Sequence, residues 1–113
     1  MKRVKKPWGW YEVLQEGKYY KVKLLSVKKG HKISLQKHEK RSEVWTVIEG
    51  TSRVSIGPNQ IWYDIEPGGT IRIEEGKEHR LEALNKNILV LELQQGTCEE
   101  DDIQRIEDDY GRS

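Results

Sequence analysis

Residues 30–50 read GHKISLQKHEKRSEVWTVIEG, and the fold and the site both depend on this stretch. Gln36 and His38 stand two apart, so in an extended chain their side chains point to the same face, because strand side chains alternate. Glu43 follows the polar run at 39–42. Such a run is suited to turning the chain, so that a second strand brings Glu43 opposite Gln36 and His38.

A later histidine completes a set of possible metal ligands. His79 lies in the segment GKEHRLEA at 76–83. Its imidazole joins the imidazole of His38, the carboxylate of Glu43 and the amide of Gln36. This mixture suits Zn²⁺, Mn²⁺, Fe²⁺, Co²⁺ or Ni²⁺, and without a thiolate it does not favour Cu(I) or an iron–sulfur cluster. We therefore expect a divalent metal ion to be bound by Gln36, His38, Glu43 and His79.

Short segments rich in β-forming residues recur outward from this stretch, with Gly, Pro and Asn between them. The expected strands are 19–27, 31–38, 44–49, 51–56, 61–65, 70–73, 79–83 and 88–94. The segments at 44–49, 51–56 and 61–65 are expected to form successive hairpins. About eight or nine short strands with almost no helical periodicity predict an all-β, antiparallel sandwich or barrel of the jelly-roll kind.

The two ends of the chain do not continue this pattern. Residues 1–6 are basic and we expect them to be mobile. The acidic run at 99–102 is expected to be a solvated surface, and the tail that follows is expected to pack on the barrel as a turn-like segment. His31 lies outside the ligand spacing, and we expect it at the surface.

Length and charge restrict the class of protein. A chain of 113 residues predicts one domain, 1–113. Lys plus Arg number 20 and Asp plus Glu number 19, so neither nucleic acid nor an anionic membrane is expected as a partner. The single Cys98 excludes an intramolecular disulfide, and no apolar run approaches the ~18–20 residues of a membrane span. A reduced, cytoplasmic location is the expectation.

The spacing of the candidate ligands resembles two motifs of the cupin family. The first motif is matched by Gly30, Gln36, His38, Glu43 and Gly50, with Gln where cupins most often have His. The second motif is matched by Gly68, Gly76 and His79. Glu74 replaces the usual Pro of that motif, and Ala83 replaces its final Asn. The resemblance implies a cupin-type double-stranded β-helix.

Longer segments resemble the type II mannose-6-phosphate isomerase domain over nearly the whole chain. They are KPWGWYE at 6–12, YKVK at 20–23, QKH at 36–38, RSEVWTVIEGT at 41–51, GKEHRLE at 76–82 and EDDIQRIEDDYGR at 100–112. In that family the domain commonly forms the C-terminal part of a protein whose larger part is a mannose-1-phosphate guanylyltransferase. That larger part is absent from this sequence, so no nucleotidyl transfer is expected. The family typically has histidines where this chain has Lys40 and Val44.

The resemblance implies interconversion of mannose 6-phosphate and fructose 6-phosphate through an enediol(ate). A divalent ion would polarise the sugar carbonyl. The phosphate requires cations, and the pool is Arg41, Arg80, Arg105, Lys21 and Lys23. Arg41 and Lys23 are favoured for it. The general base stays open among Lys21, Lys23, Glu49, Glu82, Arg105 and Glu107. The predicted catalytic and substrate-binding residues are Lys21, Lys23, Arg41 and Arg105.

Two alternative functions follow from the same residues. One is a non-catalytic cupin that binds a sugar or an anion, since the histidines usual at positions 40 and 44 are missing. The other is a different metal-dependent cupin enzyme, such as an oxygenase, which would need Fe²⁺ and O₂. In each case the expected partner is a small molecule. A homodimer is expected from exposed sheet edges and the aromatic N-terminal segment.

Overall fold

A computed structural model of the protein describes residues 3–59 and 61–110. This part of the chain contains eleven strands and no helix, which confirms the all-β prediction. The strands are β1 (Arg3–Lys6), β2 (Gly9–Glu16), β3 (Tyr20–Val27), β4 (Leu35–Lys37), β5 (Arg41–Glu49), β6 (Ser52–Ile56), β7 (Ile61–Ile65), β8 (Thr70–Ile73), β9 (His79–Ala83), β10 (Ile88–Gly96) and β11 (Gln104–Glu107).

The strands form two antiparallel sheets. The six-stranded sheet has the order β1-β2-β3-β10-β5-β8, and the five-stranded sheet has the order β11-β4-β9-β6-β7. Apart from β1–β3 and the pair β6–β7, which lie side by side in one sheet, successive strands cross between the two sheets, as in a jelly roll. The largest apolar side chains of the interior include Trp45, Leu81, Ile73 and Ile88, each at most 2% exposed.

The connection after the polar run differs from the expected hairpins. β5 lies in the six-stranded sheet, whereas β4 and β6 lie in the five-stranded sheet, so β5 pairs with β10 and β8 instead of β6. Of the three segments expected as successive hairpins, only β6 and β7 pair with each other. Gly50 makes the crossing possible with a φ of 75°. A Cβ at Gly50 would also lie 2.7 Å from the carbonyl oxygen of Asn87.

Both ends of the chain are more regular than predicted. Residues 3–6 form β1, which pairs with β2, so the expectation of a mobile start is wrong for them. Residues 1 and 2 lie outside the described part. In the tail, Gln104–Glu107 form β11, which pairs with β4. β1 and β11 are stabilised by backbone hydrogen bonds to a neighbouring strand. The local residue pattern does not show which strand will be the neighbour, so the sequence did not predict them. No helix long and apolar enough to cross a membrane occurs among the described residues.

Candidate metal centre and adjoining cavity

Three of the four predicted ligands meet in the interior. One ligand atom from each of His38, Glu43 and His79 lies within 4.8 Å of the other two, and the residues are 3%, 2% and 1% exposed. His38 follows β4 and His79 begins β9 in one sheet, whereas Glu43 lies on β5 in the other. The cluster therefore spans the space between the two sheets.

Backbone carbonyls fix the orientation of both imidazoles. Nδ1 of His38 lies 2.6 Å from the carbonyl oxygen of Asp102, and Nδ1 of His79 lies 2.9 Å from that of Lys77. A carbonyl oxygen only accepts, so each Nδ1 carries the hydrogen and donates it. In the neutral form each Nε2 then carries the lone pair and faces the cluster, which is the usual arrangement for histidine ligands held by an outer partner.

Two buried polar atoms of the cluster face each other without a hydrogen bond. Oε1 of Glu43 and Nε2 of His79 are 3.4 Å apart, and neither makes a hydrogen bond of normal geometry to any described residue. Buried polar atoms are nearly always satisfied, so this pair requires an explanation. A divalent cation between them would satisfy both atoms, and the donor set of two imidazoles and one carboxylate is suited to one.

The guanidinium of Arg41 lies against the same cluster. Its Nε donates to Oε2 of Glu43 over 2.9 Å, and its Nη2 lies 3.2 Å from Nε2 of His38. Its Nη1 donates to the carbonyl oxygen of Glu99 over 3.0 Å. Arg41 thus supplies a positive charge at the edge of the cluster and links it to the acidic segment at 99–102.

The electrostatics of the cluster favour positive charge beside Glu43. Burial by itself would raise the pKa of Glu43, but His79, His38 and Arg41 outweigh this effect and lower it. Burial opposes protonation of His79, yet the nearby Glu43 carboxylate raises its pKa. The pKa of His38 is lowered, chiefly by burial and further by the charges of Arg41 and His79. The carboxylate is therefore ionised and available to a cation.

A cavity of about 120 Å³ adjoins the cluster. Arg41 forms part of its wall and also contacts His38 and Glu43, so the cavity and the cluster are neighbours. The charged residues of its lining are Lys6, Lys23, Arg41, Arg105, Glu92 and Glu100. Four cations against two carboxylates make this lining suited to an anionic ligand.

Comparison with known proteins identifies the family. Residues 1–108 match the family described as Mannose-6-phosphate isomerase C-terminal. The chain belongs to this family. This match confirms the family predicted from the sequence segments.

Two similar relatives are much longer than this chain. A mannose-1-phosphate guanylyltransferase ManC of Salmonella typhimurium is 40% identical over 114 residues, which cover 98% of this chain and 23% of that protein. The alginate biosynthesis protein AlgA of Pseudomonas syringae pv. tomato is 39% identical over 112 residues, covering 97% of this chain and 23% of that protein. The chain therefore spans less than a quarter of these relatives.

Solved structures confirm the cupin fold. Oxalate decarboxylase from Bacillus subtilis superposes with a TM-score of 0.83 at 18% identity, over 93% of this chain and 30% of that one. KdgF from Halomonas sp. superposes with a TM-score of 0.79 at 16% identity, over 89% of this chain and 92% of that one. At such identities the similarity concerns the fold alone.

Gln36, the fourth predicted ligand, lies beside the cluster. Its Cα pairs with that of His79, and its side chain lines the cavity. Its Nε2 donates to the carbonyl oxygen and the hydroxyl of Ser34, over 3.3 and 3.0 Å. The amide oxygen, which is the atom that could act as a ligand, lies on the other side of the amide group from these contacts.

The predicted cations lie in different positions relative to the cavity. Lys21 and Lys23 both point inward from β3 and are 8% and 5% exposed. Lys23 lines the cavity and forms an ion pair with Glu100, whereas Lys21 is outside the lining and lies 3.8 Å from Glu16. Arg105 lines the cavity, and its buried Nε has no hydrogen-bond partner in the described part. Arg105 therefore offers a buried N–H donor that a ligand in the cavity could use.

The acidic run at 99–102 is a wall of the site, not only a solvated surface. The carboxylate of Asp102 accepts hydrogen bonds from the amides of Glu39 and Lys40, over 3.2 and 3.0 Å. Its carbonyl orients His38, as described above, and Glu100 pairs with Lys23. The chain positions acidic side chains here because cations of the barrel interior face them, and composition alone does not show this.

Sequence reasoning also missed Glu92 and Tyr11, which line the cavity. Glu92 is 5% exposed and lies in β10 between two leucines, and this isolated charge in an apolar run was the available signal. Burial, followed by the charge of Glu100, raises the pKa of the Tyr11 phenol. Of the carboxylates considered as a base, Glu49, Glu82 and Glu107 are not part of the cavity lining.

His31 is less exposed than expected. Its Nδ1 lies 2.6 Å from the hydroxyl of Tyr110, and the two rings stack at 6.0 Å between centroids. This contact fixes the described end of the tail on the barrel. His31 takes no part in the metal cluster.

Proposed function

We propose that the protein is a metal-dependent aldose–ketose isomerase that interconverts mannose 6-phosphate and fructose 6-phosphate. The observation that carries the proposal is the pair of Nδ1-anchored imidazoles and the carboxylate, set beside a cation-lined cavity. Family membership supports the choice of substrate. The relatives carry this domain within proteins about four times as long, so the activity of this chain itself requires a direct test.

His38, Glu43 and His79 would hold the metal ion, with Gln36 as the expected fourth ligand. Zn²⁺, Mn²⁺, Co²⁺, Ni²⁺ and Fe²⁺ are all suited to this donor set. When bound, the ion would act as a Lewis acid that polarises the sugar carbonyl and stabilises negative charge developing on its oxygen.

The cavity residues would bind and orient the sugar phosphate. Arg105 has an unused buried Nε–H and is our first candidate for the phosphate, together with Lys23 and Arg41. Guanidinium groups match the geometry of phosphate oxygens. Glu100 now neutralises Lys23, so an incoming phosphate would compete with this carboxylate. Lys21 lies outside the lining and is paired with Glu16, so we assign it no contact with the phosphate.

The test is turnover by metal-stripped and reloaded protein. Protein treated with a chelator and then loaded with each of the five ions should convert mannose 6-phosphate to fructose 6-phosphate, and the chelated protein should not. Absence of turnover with every ion would contradict the proposal. Glucose 6-phosphate serves as a matched substrate control, since it differs only in the configuration at C2.

The position of Arg41 favours a second candidate, a non-catalytic cupin that binds a sugar or an anion. Its guanidinium satisfies Oε2 of Glu43 and contacts Nε2 of His38, so protein atoms already supply part of the charge that a metal would bring. In that case mannose 6-phosphate should raise the melting temperature of chelated protein without being converted. Ligand stabilisation that requires the metal would count against this candidate.

The homodimer stays a prediction. Ile61, Trp62 and Tyr63 are 56%, 40% and 45% exposed on β7, which is the last strand of its sheet. Exposed edge strands with apolar residues are typical association surfaces. Light scattering coupled to gel filtration measures the mass directly, and a mass of a single chain would contradict the prediction.

A further inference from the structure

We propose that the carboxylate of Glu92 is the base that carries the proton between C2 and C1 of the sugar. This inference rests on the proposed isomerase function and adds the residue that performs its central step. Glu92 was not among the candidate bases named from the sequence.

Glu92 lies between the two parts of the site. It is in the middle of β10, and its register partners are Lys23 on β3 and Trp45 on β5. Two residues further along β10, Gln94 pairs with Glu43 of the metal cluster. Alternation along the strand points Glu92 and Gln94 to the same interior face, and Glu92 lines the cavity. A sugar in this cavity would therefore lie beside the carboxylate.

Two hydrogen bonds fix the carboxylate. Nε1 of Trp45 donates to Oε2 over 2.7 Å, and Nε2 of Gln94 donates to Oε1 over 2.6 Å. Each carboxylate oxygen accepts more than one hydrogen bond, so both donors leave capacity for a proton. The Trp45 ring also packs edge-on against His79, with centroids 5.5 Å apart. The same indole thus positions Glu92 relative to the metal cluster.

The environment makes Glu92 more basic than an exposed glutamate. Burial raises the pKa of Glu92, and the negative charge of Glu43 raises it further against the opposing effects of Lys23, Gln94 and Trp45. A general base is most effective when its pKa approaches the working pH. Glu100, the other carboxylate of the lining, is less suited, because its ion pair with Lys23 lowers its pKa in spite of partial burial.

The reaction balances without a further reactant. The C2–H bond of the open-chain aldose breaks, its proton passes to Glu92, and its electron pair forms the C1–C2 double bond while the C1 oxygen takes a proton from water. In the second half the C2 hydroxyl returns a proton to water and C2 becomes the carbonyl. The electron pair of the double bond takes the proton from Glu92 and forms the new C1–H bond.

The test compares Glu92→Gln with Glu49→Gln. Glu49 is exposed on β5 and carries the same change outside the cavity. Glu92→Gln should keep bound Zn²⁺ and the wild-type KM while kcat falls by about 10²–10⁴-fold, the usual contribution of a general base. It should also lose incorporation of solvent deuterium into the product, whereas Glu49→Gln should behave like wild type.

The outcomes separate this inference from the proposed function. Turnover and deuterium incorporation by Glu92→Gln at the wild-type level would overturn the role of Glu92 alone. Absence of turnover in the wild-type protein with every metal would overturn both. If Glu92→Gln does not fold, Glu92→Asp replaces it, since this variant keeps the charge and withdraws the carboxylate by one methylene. A lower kcat with retained Zn²⁺ would then support the inference, and an unchanged kcat would overturn it.

Discussion

The same three strands, β3, β5 and β10, form an apolar half and a charged half of the interior. In the apolar half the inward residues are Leu25 and Val27 on β3, Val47 on β5, and Ile88 and Val90 on β10. In the charged half they are Lys21 and Lys23, Arg41 and Glu43, and Glu92 and Gln94. Register pairs Val90 with Leu25 and Val47, and Glu92 with Lys23 and Trp45.

This difference shows how the fold maintains buried charges. Burying ionised groups is unfavourable unless they are paired, and breaking one member of a buried pair is strongly destabilising. The apolar half contributes the free energy of burial that maintains strand register. Register in turn determines which charges meet in the other half. We therefore expect substitutions in the apolar half to alter stability without removing ligand contacts, and substitutions in the charged half to alter ligand binding as well as stability.

The largest expected effect is on metal affinity in the charged half. His79→Ala removes one imidazole, so affinity for Zn²⁺ should fall by more than the about 10–100-fold typical of losing an outer partner of a ligand. Isothermal titration of chelated protein measures this change. His31→Ala is the matched control, since His31 contacts Tyr110 and not the cluster. Equal losses in both variants would contradict the assignment.

A smaller effect, on stability, is expected in the apolar half. Ile88 is 1% exposed, so Ile88→Ala should lower the free energy of unfolding by about 2–5 kcal/mol. Zn²⁺ should still bind with the wild-type stoichiometry under native conditions. Ile48→Ala, at a residue 44% exposed, should change the free energy of unfolding by less than about 0.5 kcal/mol. Denaturant unfolding would show the difference, and similar effects of both changes would contradict the division into halves.

The smallest expected effect is on the stability contributed by the ion pair of Glu100 and Lys23, at the border between the cavity and solvent. Partial burial opposes ionisation of Glu100, but Lys23 lowers its pKa, so this ion pair stabilises the fold above the ordinary pKa of a glutamate. The stabilisation should be lost as the pH falls through the folded-state pKa. Because Glu100 is about half exposed, Glu100→Gln should cost less than about 1 kcal/mol at neutral pH and nothing in acid.

Thermal unfolding at several pH values measures this difference. Glu99→Gln is the control, because the backbone carbonyl of Glu99, and not its side chain, receives the hydrogen bond from Arg41. A penalty for Glu100→Gln that persists in acid would show that the ion pair is not its cause.

The fold class and the grouping of the three candidate ligands could be predicted from the sequence. Strand-forming segments and turn glycines indicated the jelly roll. The two-residue spacing of Gln36 and His38, followed by a turn and Glu43, indicated that these side chains face one interior site. His79 lies close to His38 and Glu43 because a backbone hydrogen bond ties the turn before His79 to His38. The amide of Gly76 donates to the carbonyl oxygen of His38 over 2.8 Å.

The remaining parts depend on contacts distant in sequence. β1 and β11 form because neighbouring strands supply hydrogen bonds, which local composition does not encode. Glu92 is recognisable as a site residue only when β10 is placed between Lys23 and Trp45. The acidic segment likewise gains its role from Arg41 and Lys23 in the folded chain.

The most direct measurement is the location of a metal ion in crystals grown with Zn²⁺. Anomalous diffraction at the zinc edge should show one peak in the charged half, at about 2.0–2.2 Å from Nε2 of His38, a carboxylate oxygen of Glu43 and Nε2 of His79. A peak elsewhere, or no peak while Arg41 keeps its contacts with His38 and Glu43, would contradict the account.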